Sequence, residues 1–169
     1  MIDPATYSAL DSRRFGIRAF RASPDTVEAV ANVMQFARSE NVDLLIVRCP
    51  VSAFAAVQEL ERAGCFLTDT LVYYRGSISS FASGPPLPTC IRLGQEGDRA
   101  DLERIARASF AGFFGHYHAD PRLDPVAATE GYVQWACSAL DYASSLVLVS
   151  ETEGRLSGFL TAKMLTERT

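Results

Sequence analysis

The chain has 169 residues, of which 48% are hydrophobic and 21% charged; this excludes a largely disordered chain and fits one ordinary domain or two small α/β layers. Sixteen basic and 20 acidic residues give a net charge of −4, and no Lys/Arg cluster interleaves with aromatics, so a nucleic-acid-binding surface is not expected. No apolar run approaches the roughly 20 residues that span a bilayer, and the start, Met1-Ile2-Asp3-Pro4, does not read as a secretory signal. Cys49, Cys65, Cys90 and Cys137 are scattered without a C-x-x-C pair, which points to buried, reduced thiols in a cytoplasmic protein.

In chain order, Asp11, Arg13 and Arg14 read as surface residues of a loop, and 15–20 as a short strand. Ser23-Pro24 then opens a helix with Ser as N-cap and Pro at its first position, and Val27, Val30, Ala31, Met34 and Ala37 repeat at helical spacing. Residues 43–49 hold Leu-Leu-Ile-Val, apolar on both faces as in a buried parallel strand. Pro50 and Ser52 start the next helix, with Ala53, Ala56, Val57 and Leu60 on one face and Gly64 at its end. Residues 66–74 are rich in strand formers and predict a third strand.

The composition then changes. Residues 77–89, rich in Ser, Gly and Pro, read as a linker between an N-terminal α/β domain at 1–76 and a second domain at 90–169. That domain predicts a strand at 90–93 and a helix capped by Asp98, with Leu102, Ile105, Ala106 and Phe110 on its apolar face. An irregular stretch over 111–123 follows, then a helix opened by Asp124-Pro125 with Ala128, Tyr132, Trp135, Ala136 and Ala139 in one stripe. Residues 145–150 and 155–165 predict a hairpin turning at Glu151-Thr152-Glu153-Gly154, where Glu151 and Glu153 are solvated charges. The fold class is therefore mixed α/β.

The order strand, helix, helix, strand, strand resembles the opening part of a GNAT superfamily N-acetyltransferase, and the chain as a whole is similar to the N-terminal part of the dTDP-fucosamine acetyltransferase group. The residues that carry the likeness are Phe15-Gly16, the run from Leu60 to Phe66, Ala108-Ser109-Phe110, Tyr132-Val133-Gln134-Trp135 and Gly158-Phe159. Residues 44–74 further resemble a strand–helix–strand found late in such enzymes. The resemblance implies transfer of an acetyl group from acetyl-CoA to a primary amine, with the amino sugar of a nucleotide sugar as acceptor. It also implies an R-x-x-G-x-G/A loop at a helix N-terminus for the coenzyme diphosphate. The sequence has no such loop, so the expectation is a truncated, two-chain or degenerate relative that supplies the acceptor-binding half.

By the same resemblance, residues 113–122 line the acceptor pocket. Phe114, His116, Tyr117, His118, Asp120 and Arg122 there, with Tyr132 and Trp135 on the following helix, are the candidate substrate-binding residues. Arginine suits bidentate phosphate contact, aromatics stack on sugars or bases, and histidine near neutrality takes a proton from an ammonium. The competing reading is a solvated connecting loop whose aromatics pack beneath it, with Tyr132 and Trp135 as core residues. His116-x-His118-x-Asp120 also has a metal-hydrolase spacing, but the chain has only these two histidines, so no metal is expected. Cys137 has no histidine at helical spacing and is not expected to act as a nucleophile. The apolar strand at 155–165 leaves an open sheet edge, which predicts pairing with a second copy or a partner chain. A catalytically incomplete binding or assembly module is the alternative function.

Overall fold

A computed structural model describes residues 3–74, 76 and 88–163. The fold is mixed α/β, with two compact units, Met1–Thr70 and Leu71–Thr169. Residues 77–87 of the expected linker and residues 164–165 of the expected last strand lie outside the described residues. No helix among the described residues is long and apolar enough to cross a membrane.

The first unit contains β1 (Thr6–Tyr7), α1 (Ala9–Phe15), β2 (Ala19–Ala22), α2 (Val27–Ser39), β3 (Leu44–Val47) and α3 (Phe54–Arg62). The sheet order is β1-β2-β3, with β1 antiparallel and β3 parallel to β2, so β2–α2–β3 is a crossover unit. Phe20, Ala22 and Val33 make one core cluster; Val30, Ala56 and Leu60 make another between α2 and α3.

Several expectations fail here for local reasons. The segment containing Asp11, Arg13 and Arg14 is a helix, not a loop, and the strand begins at Ala19 rather than at Phe15. Gly16, at φ 67°, takes the left-handed turn that ends α1. Asp11 is fully buried: its carboxylate accepts from Ser8 Oγ at 2.6 Å and from Arg21 Nε and Nη2 at 2.9 and 2.6 Å. Helix α2 starts at Val27 because Thr26, not Ser23, caps it; the Thr26 hydroxyl accepts from the Ala29 N–H at 3.1 Å. Its buried face accordingly centres on Val30 and Val33, leaving Val27 and Ala31 exposed. Helix α3 starts at Phe54, after Ala53, without a side-chain cap.

Strand β3 has Leu44 buried and its next three residues half-buried, not a core position on both faces. Residues 66–74 form no strand and pair with nothing in the sheet. Strand propensity reflects packing against neighbours, and here the large side chains face solvent.

The second unit contains β4 (Ile91–Leu93), α4 (Arg99–Ser109), α5 (Pro125–Cys137), β5 (Ser145–Thr152) and β6 (Arg155–Lys163). Its antiparallel sheet has the order β4-β5-β6. Glu153 and Gly154, at φ 53° and 72°, make the two-residue hairpin turn. Leu102 and Ala106 of α4 and Val133, Ala136 and Cys137 of α5 pack on Val147, Val149 and Leu156. Cys137 is thus buried, but Cys49, Cys65 and Cys90 are half-buried rather than core thiols. Helix α5 begins as its sequence predicts, with Asp124 accepting from the Val126 N–H at 2.9 Å and Pro125 in the first turn.

Asp98 precedes α4, but its carboxylate serves other donors. It accepts from the Gln95 N–H at 2.8 Å and from Arg92 Nη1 and Nη2 at 2.8 and 2.9 Å, while Arg92 Nε reaches Glu151 at 2.6 Å. These bonds tie β4 to β5 and to the entry of α4. The Arg92 hydrogen bonds, then the Gln95 N–H, pull the Asp98 carboxyl from 3.8 down to about 2. A carboxyl depressed in the folded state contributes stability that is complete above its unfolded value and lost as pH falls through the folded one. The melting temperature of the chain should therefore drop between pH 4 and pH 2, and Asp98→Asn should flatten that part of the profile; thermal melts by circular dichroism at stepped pH measure both.

Candidate functional site

The segment between α4 and α5 is built around Tyr132, which α5 projects from its second half. Five rings surround it. Phe110 and Phe113 lie 5.4 and 5.2 Å away between centroids, Tyr117 5.6 Å, His116 6.0 Å and His118 5.9 Å. The His118 ring is stacked parallel to Tyr132, at an interplanar angle of 8°. Tyr132 Oη and His116 Nδ1 share a hydrogen bond of 3.2 Å. Gly115 permits this closeness: a Cβ there would run into the Tyr132 hydroxyl and lie 2.7 Å from the Phe113 ring.

His118 is fixed from both sides. Its Nδ1 accepts from the Gly115 N–H at 3.3 Å, and its Nε2 lies 3.2 Å from Thr129 Oγ1. Since Nδ1 accepts, Nε2 carries the proton in the neutral ring and donates to Thr129, whose own hydroxyl donates to the Pro125 carbonyl at 3.0 Å. Phe114 stands 6.2 Å from the His118 ring and is 68% exposed, so the cluster has an aromatic wall open to solvent.

Asp120 and Arg122 form a separate, local pair. Arg122 Nε and Nη2 donate to the nearly buried Asp120 carboxylate at 2.9 and 2.5 Å, and the Arg122 N–H donates at 3.0 Å. The Arg122 side-chain bonds, together with its N–H, hold the Asp120 carboxyl below the usual range. The guanidinium expected to grip a phosphate instead spends its fork on this carboxylate and pins the end of the loop.

Thus the structure brings together Phe114, His116, Tyr117, His118 and Tyr132. It sets Asp120 and Arg122 in the support of the loop and leaves Trp135 elsewhere. Trp135 is 69% exposed and is not a core residue of the expected stripe; it stands over a shallow groove of about 360 Å³ with Phe110 and Phe159. Phe113 and Gly115 fall within the stretch 113–122 expected to line the pocket, whereas sequence reasoning missed Phe110 and Thr129 as members of the cluster. Thr129 was within reach of it, because it lies three residues before Tyr132 on the same helical face.

The residues described do not fit a coenzyme diphosphate. Helix α4 is entered past Glu96 and Asp98, and Arg99 in its first turn donates to Glu96 at 2.5 Å. Asp124 already caps α5, Asp25 and Glu28 flank the start of α2, and α3 has neither glycine nor cation in the five residues before it. Carboxylates at these helix starts occupy or repel what a phosphate would need. Nor do the described residues contain a group of three metal-competent side chains, and both His118 nitrogens and the Asp120 carboxylate are engaged by protein.

No protein-family model and no curated protein matches the chain.

Proposed function

We propose that the second unit is the acceptor-binding half of a GNAT-like N-acyltransferase, and that it receives a primary amine on a small sugar-like molecule. Acetyl-CoA, the acyl donor this reading implies, would be held by residues other than those described. A cytoplasmic location belongs to the same reading. The observation that carries it is the cluster of His116 and His118 around Tyr132 of α5, within a unit of strand, two helices and a hairpin.

An amine arrives at neutral pH as an ammonium and has no lone pair until a base removes a proton. Two imidazoles stand here in a partly sheltered aromatic setting. His116 couples to the Tyr132 hydroxyl, and His118 is held by Gly115 and Thr129. His116, oriented by the Tyr132 hydroxyl, is the imidazole assigned to accept the ammonium proton, whereas His118, with both nitrogens engaged, shapes the site. Phe114 supplies an exposed face for the apolar side of a sugar ring. A second reading, a binding or assembly module without transferase activity, is favoured by the acidic helix starts.

Calorimetric titration of the whole chain with acetyl-CoA, and separately with an amino-sugar nucleotide, distinguishes the two. The transferase reading expects saturable heat from both ligands, and His118→Ala should weaken the amine at least tenfold, about 1.4 kcal/mol. Heat from the amine alone would leave the binding module. Heat from neither ligand would overturn the assignment of the cluster as an acceptor site.

A further inference from the structure

Strand β6 pairs with β5 alone among the described residues, so its outer edge has no strand partner over Arg155–Lys163, the Leu156 carbonyl at its start being taken by Arg104 Nη2 at 3.0 Å. Both surfaces next to that edge are apolar. On the face away from the helices, Leu93 lies opposite Leu148 and Leu148 opposite Leu160, a leucine row across all three strands. Leu93 and Leu160 are 60% and 57% exposed. On the helix face is the groove beneath Phe110, Trp135 and Phe159. One more strand on β6 would extend the row with alternate side chains and fill the groove with the others.

The chain carries a segment of that description. Residues 66–74 (Phe-Leu-Thr-Asp-Thr-Leu-Val-Tyr-Tyr) are nine residues of strand-favouring composition that belong to no element. Their six large side chains are from 52% to 93% exposed. Charge favours the match. The segment has one charged residue, Asp69, whereas β6 has two, Arg155 and Lys163, both positive. Pairing β6 with β6 of another copy in full antiparallel overlap would instead set Arg155 against Lys163 at both ends, and like charges directly opposite destabilise a ladder.

We propose that two copies of this chain associate by strand addition, residues 66–74 of each forming a fourth strand on the outer edge of the other's β6. The arrangement is reciprocal, so it closes as a two-fold dimer and leaves neither apolar surface open. It does not rest on the acyltransferase reading.

Sedimentation of the full chain, with emission from its single tryptophan, tests this, because Trp135 stands over the groove the added strand would cover. The expected result is a dimer at micromolar concentration whose emission moves to the red on dilution. Leu71→Lys with Tyr73→Lys should weaken the dimer by roughly a hundredfold while far-ultraviolet circular dichroism loses no more than the added strand, since both side chains are more than half exposed in the single chain. A peptide of residues 66–74, added to that monomeric variant, should move the Trp135 emission back to the blue. A wild-type monomer throughout, a dimer that the double variant leaves intact but Leu160→Lys breaks, or an emission indifferent to the peptide would each overturn the proposal.

Discussion

Replacing Tyr132 with alanine should destabilise the second unit by about 3 kcal/mol, the low end for removing an aromatic ring from a packed site. The ring is half-buried, but five others lean on it, and two of them are the histidines. Tyr132→Phe keeps the ring and removes only the hydroxyl that meets His116, so it should cost about 1 kcal/mol. The two variants separate packing from polar positioning. Denaturant unfolding followed by circular dichroism reads the energies. Proton NMR reads the cause: the ring-current shift of His118, stacked at 8°, persists in Tyr132→Phe and vanishes in Tyr132→Ala. If Tyr132→Ala unfolds at the wild-type denaturant concentration, the loop is not built on this residue. Under the acyltransferase reading, Tyr132→Phe should also weaken amine binding more than its small stability loss explains, because His116 loses its orienting partner.

What the sequence made legible follows the range of the forces involved. The start of α5 was readable because Asp124 and Pro125 act within one turn, and the hairpin because Glu153-Gly154 dictates its own backbone. Helix α1 was not readable, since its buried positions are Asp11 and Ser12 rather than an apolar stripe. Residues 66–74 have the composition of a strand, but pairing needs a neighbour that composition does not supply. The same divide runs through the candidate site. Residues 113–122 stood out because both histidines sit among aromatics, whereas the contact of His116 with Tyr132 spans 16 residues and depends on how the loop returns to α5. Arg122 looked like a phosphate ligand until Asp120, two residues away, was seen to occupy its fork. Trp135 shares a turn with Tyr132, yet the helix buries Val133 and Ala136 on either side of it and turns the indole outward.

The other large effect belongs to the first unit. Asp11→Ala should cost about 2 kcal/mol, less than for a fully buried pair, because the carboxylate is buried but the Arg21 side chain it leaves behind is 40% exposed. The Asp11 carboxylate is fully buried and gathers Ser8, Arg21 and, at 3.5 Å, Arg14. It joins α1 to β2 where the apolar core is thin, and a unit of about 70 residues has roughly 4–10 kcal/mol in total. The loss is therefore a large share of what holds this unit folded. Asp11→Asn keeps the shape and one acceptor oxygen, so it should cost about half as much. Arg21→Lys keeps the charge but offers one donor nitrogen where the guanidinium bonds through two, and should cost about 1 kcal/mol. Two probes on one sample locate the damage. Trp135 lies in the second unit and, read at a dilution where the chain is monomeric, follows that unit's unfolding, whereas far-ultraviolet circular dichroism reports both. In Asp11→Ala the dichroism should develop an early transition that the tryptophan does not follow. Coincident, unshifted transitions would mean that the buried carboxylate contributes nothing and that the first unit is held by its small apolar clusters instead.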